Sequence, residues 1–203
     1  MEAVAHIVEK YGLTLSRKHQ TEIQAMGRDD LPALFHELGY VMGAEIGSER
    51  ALYAEKLCQA GLRLYAVDAW TAYKGYREHV SQGKLDRFYE ETRRRLEPFD
   101  CQIVRCFSMD ALKLFADGSL DFVYIDGNHD FQHAAEDIAE WSRKVKVGGI
   151  ISGHDFSRNK KKDYLCQVKD VVQAWTYAHG ITPWFITRGD RRSPSWFWVK
   201  ADA

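Results

Sequence analysis

The chain has 203 residues, of which 45% are hydrophobic and 28% are charged, a mixture typical of a globular domain with a sizeable core. The formal net charge of −1 gives no electrostatic reason to expect nucleic acid or an anionic membrane as a partner. No apolar run reaches the roughly 20 residues of a membrane span, the first residues lack the pattern of a secretory signal, and the four cysteines form no CxxC pair. We therefore expect a cytoplasmic protein with free thiols and with no membrane or nucleic-acid partner.

Hydrophobic periodicity and helix-breaking residues divide the chain into alternating helices and strands. Residues 2–39 are predicted to be helical, because apolar residues from Leu31 to Leu38 recur at helical spacing and Gly39 ends the run. The remainder alternates between strand and helix patterns. Strands are predicted at 41–47, 62–68, 101–108, 120–127, 148–155, 181–188 and 195–200, and helices at 48–61, 84–97, 109–116, 130–146 and 166–180.

This alternation predicts one α/β domain over residues 1–203, with an N-terminal helical segment at 1–39 and a Rossmann-like core at 40–200. The core is expected to be a seven-stranded, mostly parallel sheet with helices on both faces. Its last two strands, separated by "GDRRSP", should form a C-terminal antiparallel hairpin. In such folds ligands bind beyond the carboxyl ends of the strands. The candidate functional residues at these ends are Glu45, Gly47, Asp68, Ser108, Asp126 and Asp155.

The first two strands of the core end in residues that suit a nucleotide-like ligand. Gly47 would let the backbone approach a ligand closely, and Ser48 is predicted to cap the following helix, whose free N–H groups favour negative charge. Asp68 follows about twenty residues later, and its carboxylate could accept both hydroxyls of a ribose. Because "GAEIGSERA" is not a GxGxxG motif, a tight turn at Gly47 and a capping role for Asp68 are the structural alternatives.

Asp126 and Asp155 each follow a strand with a buried pattern, in "VYIDGNHD" and "GGIISGHDF". A carboxylate in that position is unfavourable without partners, and two of them repel each other unless a cation or a proton lies between them. Two carboxylates with a nearby asparagine or histidine suit a hard divalent cation, so a metal site is predicted at Asp126 and Asp155, with His154 or His129 as the third protein group. Helix capping by the carboxylates and structural roles for His129 and His154 are the alternatives.

Four motifs resemble those of class I S-adenosylmethionine-dependent methyltransferases, and more narrowly those of the small families around macrocin-type O-methyltransferases and cephalosporin hydroxylase-like proteins. "AEIGSERALYAEKL" resembles their first motif, "YAVDAW" their second and "CFSMDAL" their adenine-contacting segment. The most specific match is "VYIDGNHDFQHAAEDIAEWSRKVKVGGIISGHDF". The resemblance covers residues 30–200 and includes the final hairpin, although the first motif has fewer glycines than is usual.

The resemblance implies S-adenosylmethionine as the cofactor and a position for each part of it. The implied contacts are Glu45, Gly47 and Ser48 around the methionine part, Asp68 on the ribose, Ala69 and Trp70 beside the adenosine, Ser108 and Met109 at the adenine, and Asp126 where cofactor and acceptor meet.

The resemblance also implies a metal and a base. In metal-dependent relatives, carboxylates at the ends of strands four and five hold magnesium, and the matching positions here are Asp126 and Asp155, with His154 beside them. Asp126, His129 and His154 are the implied catalytic residues, with one of the two histidines as base. We therefore expect methyl transfer to an oxygen of a small molecule, assisted by Mg²⁺ or another divalent cation, in a protein that could form a homo-oligomer.

Three other functions use the same residues. A metal-dependent hydroxylase or hydrolase would use the carboxylates and histidines around Asp126 and Asp155, and a nicotinamide-dependent Rossmann enzyme would use Asp68. A non-catalytic protein would bind the cofactor without turning anything over. The poor glycine fingerprint, the carboxylates on strands four and five and the terminal hairpin favour a methyltransferase over the nicotinamide enzyme.

Overall fold

The computed structural model describes residues 2–15, 20–73, 80–161, 164–189 and 193–202 of the chain. Its strands are β1 (Thr21–Ile23), β2 (Met42–Ile46), β3 (Arg63–Asp68), β4 (Cys101–Arg105), β5 (Leu120–Ile125), β6 (Val145–Gly153), β7 (Asn159–Lys161), β8 (Tyr164–Cys166), β9 (Phe185–Thr187) and β10 (Trp196–Val199). Its α-helices are α1 (Glu2–Tyr11), α2 (Leu31–Glu37), α3 (Leu52–Gln59), α4 (Gln82–Leu96), α5 (Ser108–Ala111), α6 (Phe131–Lys144) and α7 (Val168–Ala178).

Eight of the described strands form one sheet in the order β1-β9-β10-β6-β5-β2-β3-β4. β10 runs antiparallel to its neighbours β6 and β9, and the other pairings in this sheet are parallel. The predicted mostly parallel sheet with an antiparallel C-terminal hairpin, formed by β9 and β10, is confirmed. The connections change direction between β2 and β5, and ligands bind near such a switch point in open α/β sheets.

The sheet contains one strand more than the seven predicted. β1 lies inside the segment 1–39, so the prediction of a helical segment is correct for α1 and α2 but wrong for Thr21–Ile23. Thr21 and Ile23 are buried and Glu22 is exposed, and the strand pairs in parallel with β9. Two β-branched residues on the buried face of a sheet edge favour a strand over a helix here.

α3 begins four residues later than the predicted start at Ser48. The residue that precedes the helix is Ala51, which has a left-handed φ of 56°, and Glu49 is also left-handed with a φ of 46°. The Ala51 N–H donates to the Ser48 carbonyl at 2.6 Å. The prediction that Ser48 caps the helix is therefore wrong, because residues 48–51 form a tight loop at the carboxyl end of β2.

Apolar side chains pack on both faces of the sheet, as predicted. One face is covered by α5, α6 and α7, with Ile138 and Trp141 of α6 in its core. The other face is covered by helices α1 to α4, and there the ring of Phe35 stacks on Phe122 with centroids 4.5 Å apart. No helix in the described part of the chain is long and apolar enough to cross a membrane.

Gly43 in β2 provides a test of this packing. An added Cβ would lie 2.3 Å from Cζ of Phe122, whose ring is held by Phe35. We predict that Gly43→Ala lowers the free energy of unfolding by about 1–3 kcal/mol, because the buried ring has to shift. Gly83→Ala is the control, since nothing lies within 4 Å of its added Cβ. It should be neutral or stabilise α4 by up to about 1 kcal/mol. Urea unfolding of both variants measures the difference, and equal effects would contradict the tight packing.

Candidate active site

The carboxyl ends of β2, β5 and β6 lie side by side, because these strands are parallel and adjacent. Ile46 of β2 pairs with Ile125 of β5, and Ile125 pairs with Gly153 of β6. The residues that follow β5 and β6, including Asp126 and Asp155, therefore enter the same space. The two carboxylates expected from the sequence to be neighbours lie close together in the structure.

Asp126, His129, His154 and Asp155 form a compact group, called here the acid–histidine cluster. His129 Nε2 lies 3.4 Å from an oxygen of Asp126 and 3.2 Å from an oxygen of Asp155. His154 Nδ1 lies 3.8 Å from Asp126 and 3.5 Å from Asp155. One ligating atom each from Asp126, His154 and Asp155 lies within 4.8 Å of the others. The cluster can therefore share a proton or hold a cation.

Asp155 is turned into the cluster by an unusual backbone conformation. Its φ is 51°, which is uncommon for a residue other than glycine, and the carboxylate is buried. Burial by itself would raise the pKa of Asp155, but a hydrogen bond from His154 and the charge of His129 hold that pKa well below its usual range. Because the folded-state pKa is lowered, Asp155 is ionised at neutral pH and its stabilising contribution is lost only as the pH falls into the acid range.

Arg28 supplies a positive charge to the cluster, and the sequence analysis does not single it out. It lies in the 3-10 turn Arg28–Asp30 that precedes α2. Its Nη2 donates to Asp126 Oδ2 at 2.7 Å, and its guanidinium lies 4.2 Å from the ring centroid of Tyr53 and 5.1 Å from that of Tyr124. No motif in "MGRDD" distinguishes this arginine from the others, since its partners come from α3 and β5.

Contacts that are distant in sequence hold the turn that carries Arg28. The Tyr53 hydroxyl donates to the Arg28 carbonyl at 3.1 Å. The N–H groups of Arg188 and Gly189, just beyond β9, donate to the Met26 carbonyl at 3.1 and 2.8 Å. A Cβ on Gly189 would lie 2.8 Å from the Met26 carbonyl carbon, so the close approach requires glycine. The N-terminal segment is thereby fixed against the end of the sheet and places Arg28 beside Asp126.

The packing of the loop after β2 against the loop after β5 requires glycine at position 47. Its φ is 90°, and an added Cβ would lie 2.3 Å from the carbonyl oxygen of Asp126 and 2.7 Å from the Cα of Gly127. The absence of a side chain thus allows the loops after β2 and β5 to touch each other. The expected close approach of Gly47 to a ligand stays a prediction, and this packing is an additional reason for glycine.

A cavity of about 290 Å³ adjoins the acid–histidine cluster at the carboxyl ends of β2, β3 and β4. This volume is near the lower end for small-molecule sites. Of the residues predicted to bind a cofactor, those that line the cavity are Gly47, Asp68, Ala69, Ser108 and Met109. Those outside its lining are Glu45, Ser48, Trp70 and Asp126.

Asp68 is held at the edge of the cavity by two backbone N–H groups. Glu49 N donates to its Oδ2 at 2.9 Å, and Trp70 N donates to its Oδ1 at 2.8 Å. The Trp70 side chain, predicted to lie beside the adenosine, is instead buried next to Tyr89 of α4, with ring centroids 5.1 Å apart. Its Nε1 donates to the Glu49 carbonyl at 2.7 Å. The left-handed φ of Trp70, 44°, accompanies this orientation away from the cavity.

Glu45 in β2 and Ser48 in the loop that follows β2 are both buried. The Ser48 hydroxyl lies near the Glu45 carboxyl group, but neither Glu45 Oε2 nor Ser48 Oγ makes a well-aligned hydrogen bond with a described residue. Burial raises the pKa of Glu45 to about 8, although the nearby Ser48 hydroxyl and Arg28 guanidinium partly offset this effect. Buried polar atoms without partners are uncommon and indicate a missing water or ligand group.

Tyr73 and His133 close one side of the cavity, and no motif in the sequence points to them. The Tyr73 hydroxyl accepts a hydrogen bond from Asn128 Nδ2 at 3.1 Å, and its ring packs edge-on against Phe107 with centroids 5.5 Å apart. His133 lines the same side and pairs with Asp130 at 2.7 Å. Tyr73 follows β3 in a polar segment without a recognisable pattern, so only the three-dimensional structure reveals it.

The ion pair between Arg28 and Asp126 provides a test of the cluster. We predict that Arg28→Met lowers the free energy of unfolding by about 1–3 kcal/mol, because it leaves a largely buried carboxylate without its charged partner. Arg50→Met is the control: Arg50 pairs with Glu91, but its side chain is 43% exposed, compared with 23% for Arg28. Exposed pairs contribute about 0–1 kcal/mol.

Denaturant unfolding at neutral pH compares the two variants. Combining Arg28→Met with Asp126→Asn should cost less than the sum of the single changes, because the two side chains interact directly. An Arg28→Met variant as stable as Arg50→Met, or strictly additive effects with Asp126→Asn, would contradict the ion pair.

Residues 41–156, more than half of the chain, match the protein family described as "Methyltransferase domain". The matched region contains both carboxylates of the cluster and every residue that lines the cavity. It ends before β9 and begins after Arg28. No curated protein matches the chain.

Solved structures share the fold at low sequence identity. An O-methyltransferase from Bacillus cereus in complex with S-adenosylhomocysteine is 15% identical with a TM-score of 0.60, covering 85% of this chain and 80% of that one. TomG from Streptomyces achromogenes, an O-methyltransferase in complex with S-adenosylmethionine, is 13% identical with a TM-score of 0.60, covering 99% and 91%.

The N-methyltransferase NodS from Bradyrhizobium japonicum is 13% identical with a TM-score of 0.59, covering 85% of this chain and 96% of that one. At these identities the solved structures establish a common fold and leave the acceptor open. The family match, together with the sheet order and the motifs at the strand ends, identifies the chain as a member of the methyltransferase-domain family, within the class I S-adenosylmethionine-dependent methyltransferases.

Proposed function

We propose that the chain transfers the methyl group of S-adenosylmethionine to an oxygen of a small-molecule acceptor, with a divalent cation at Asp126, His154 and Asp155. The observation that carries this proposal is that the cavity and the acid–histidine cluster meet where Gly127 follows Asp126. The hydroxylase or hydrolase alternative is not favoured, because the matched family consists of methyltransferase domains. A cytoplasmic location and a homo-oligomer stay predictions.

The cavity fits the cofactor at several points. Asp68, whose carboxylate is oriented by two backbone N–H groups, would accept the ribose hydroxyls. Ser108 would lie at the adenine. Gly47, which lines the cavity and lies between Glu45 and Ser48 in the chain, would lie at the methionine end. The relatives from Bacillus cereus and Streptomyces achromogenes hold S-adenosylhomocysteine and S-adenosylmethionine, which supports the same cofactor here.

The acid–histidine cluster fits a divalent cation by its donor set. Carboxylate oxygens suit Mg²⁺ and Mn²⁺, and an imidazole nitrogen extends the range to softer divalent ions. Arg28 occupies Oδ2 of Asp126 and thereby leaves Oδ1 turned towards His129 and His154. A bound cation would orient the acceptor oxygen and lower the pKa of its hydroxyl.

The histidines of the cluster can take the acceptor proton. A hydroxyl has to lose its proton when its oxygen accepts a methyl group, whereas the sulfonium donor becomes a neutral thioether. His129 lies within 4 Å of both carboxylates, which would stabilise its protonated imidazole while His154 holds the cation. Without a cation, His154 could take the proton instead, since it also lies within 4 Å of both carboxylates. An oxygen acceptor suits this arrangement better than an amine, because an unprotonated amine attacks without a base. Because NodS is an N-methyltransferase with a similar fold, rates of methyl transfer to oxygen and to nitrogen acceptors should be compared.

Calorimetric titration with S-adenosylhomocysteine tests the cofactor site. We predict that the chain binds this ligand and that Asp68→Ala weakens binding by tenfold or more, because one or two charge-assisted hydrogen bonds of about 1.5–3 kcal/mol each are lost. Asp117→Ala is the control, since Asp117 is exposed and pairs with Lys144 away from the cavity. No binding to the unaltered chain would refute the cofactor, and unchanged binding to a folded Asp68→Ala variant would remove Asp68 from the site.

Binding of Mn²⁺, followed by electron paramagnetic resonance, tests the cation site. We predict that Asp155→Asn and His154→Ala each weaken Mn²⁺ binding on the order of tenfold or more, since even residues that only orient a ligand contribute that much. His133→Ala is the control, because His133 pairs with Asp130 outside the cluster. Unchanged Mn²⁺ binding in both cluster variants, together with a transfer rate indifferent to EDTA, would contradict the cation site.

A further inference from the structure

Three side chains form a directed hydrogen-bond chain behind the cavity. Trp141 Nε1 donates to Ser108 Oγ at 2.8 Å. Because the indole N–H can only donate, the Ser108 hydroxyl has its own proton left for the next acceptor. That acceptor is Asp137 Oδ1, to which Ser108 Oγ donates. Oδ1 of Asp137 is therefore assigned as an acceptor from Ser108.

The second oxygen of Asp137 lies on the side of the cavity. Ser108, Gly127 and Asp137 all contribute to its lining, and Oδ2 is 3.3 Å from the position that a Cβ on Gly127 would occupy. The hydrogen bond from Ser108 goes to the other oxygen, Oδ1. A carboxylate oxygen that faces a cavity can accept a hydrogen bond from a ligand group there.

The surroundings of Asp137 place its pKa near neutral pH, so that both its ionised and its protonated form are accessible. Burial raises its pKa to about 7, partly offset by the Ser108 hydroxyl and by His133, while Glu136 adds to the increase. Across the cavity, Asp68 and Tyr73 are the facing titratable groups. Near neutral pH the carboxyl group can thus be an ionised acceptor or a protonated donor, and the ligand selects between the two.

We propose that Asp137 determines the specificity for a 6-aminopurine, by accepting a hydrogen bond from the exocyclic amino group of the cofactor through Oδ2. This inference rests on the proposed binding of S-adenosylmethionine in the cavity. Ser108, expected at the adenine, touches Asp137 directly, so the carboxylate lies at the end of the cavity where the base would be. A 6-oxopurine presents an acceptor at the same position and is disfavoured by an ionised Asp137.

Substitution by asparagine should invert this preference. In Asp137→Asn the Ser108 hydroxyl continues to donate, so the amide oxygen stays on Ser108 and the NH₂ group turns towards the cavity. That NH₂ group can donate to a 6-oxo group but clashes with a 6-amino group. The side chain keeps its volume, which limits effects on packing.

Calorimetry with S-adenosylhomocysteine and S-inosylhomocysteine measures the effect. Well above pH 7, where Asp137 is ionised, the unaltered chain should prefer the adenine ligand by on the order of tenfold or more, the loss expected for one unpaired buried group. Asp137→Asn should bind it more weakly and the inosine ligand more tightly. Glu140→Gln is the control and should keep the original preference, because Glu140 lies on the same helix but is partly exposed, pairs with Arg143 and is not part of the cavity lining. Equal loss of both ligands in Asp137→Asn, or an unaltered chain without preference, would overturn the proposal.

The pH dependence of binding gives a second readout. Because the adenine ligand would bind the ionised carboxylate, its affinity should be highest above pH 7 and fall below it by up to about tenfold per pH unit, with release of one proton. Asp137→Asn should lack this proton release, even though His133 and Glu136 are still present. Proton release that persists in Asp137→Asn would overturn the assignment. Failure of the unaltered chain to bind either ligand would instead refute the proposed cofactor.

Discussion

Two carboxylates at the ends of neighbouring buried strands require compensating positive charge. The positions of the histidines and of Arg28 in the site meet this requirement. Parallel pairing of β5 and β6 brings Asp126 and Asp155 together. His129 Nε2 lies within 3.4 Å of an oxygen of each, and Arg28 donates a hydrogen bond to Oδ2 of Asp126. Without these partners the mutual repulsion and the desolvation of the two groups would oppose folding. The ion pairs of the cluster therefore contribute to the stability of the fold, and the cluster is also a candidate reaction centre.

The same requirement explains why the N-terminal segment belongs to the site. Arg28 lies outside the region that matches the methyltransferase-domain family, yet it reaches Asp126 from a turn held by Tyr53 and by the backbone beyond β9. The extra strand β1 joins that turn to the edge of the sheet through its pairing with β9. The cavity lined by Gly47 and Gly127 and the acid–histidine cluster lie next to each other at the carboxyl edge of the sheet.

The sequence was sufficient to predict the residues that end parallel strands, because strand–helix alternation determines which side chains meet at one edge. Asp68, Asp126 and Asp155 were found in this way. Arg28 and Asp137 could not be, since each acquires its importance from partners distant in sequence. β1 is too short to show a periodicity, and the orientation of Trp70 depends on a left-handed backbone that no local pattern indicates.

The most direct test of the account is a crystal structure with S-adenosylhomocysteine and Mn²⁺, measured at the manganese absorption edge. The account predicts anomalous density bonded to Asp126 and Asp155 at roughly 2.0–2.6 Å. It also predicts the cofactor sulfur on the Gly47 side of the cluster, with space for an acceptor oxygen about 3 Å from the position of the methyl group. A cofactor bound away from this edge, or manganese absent from the cluster while the cofactor is present, would contradict a single reaction centre.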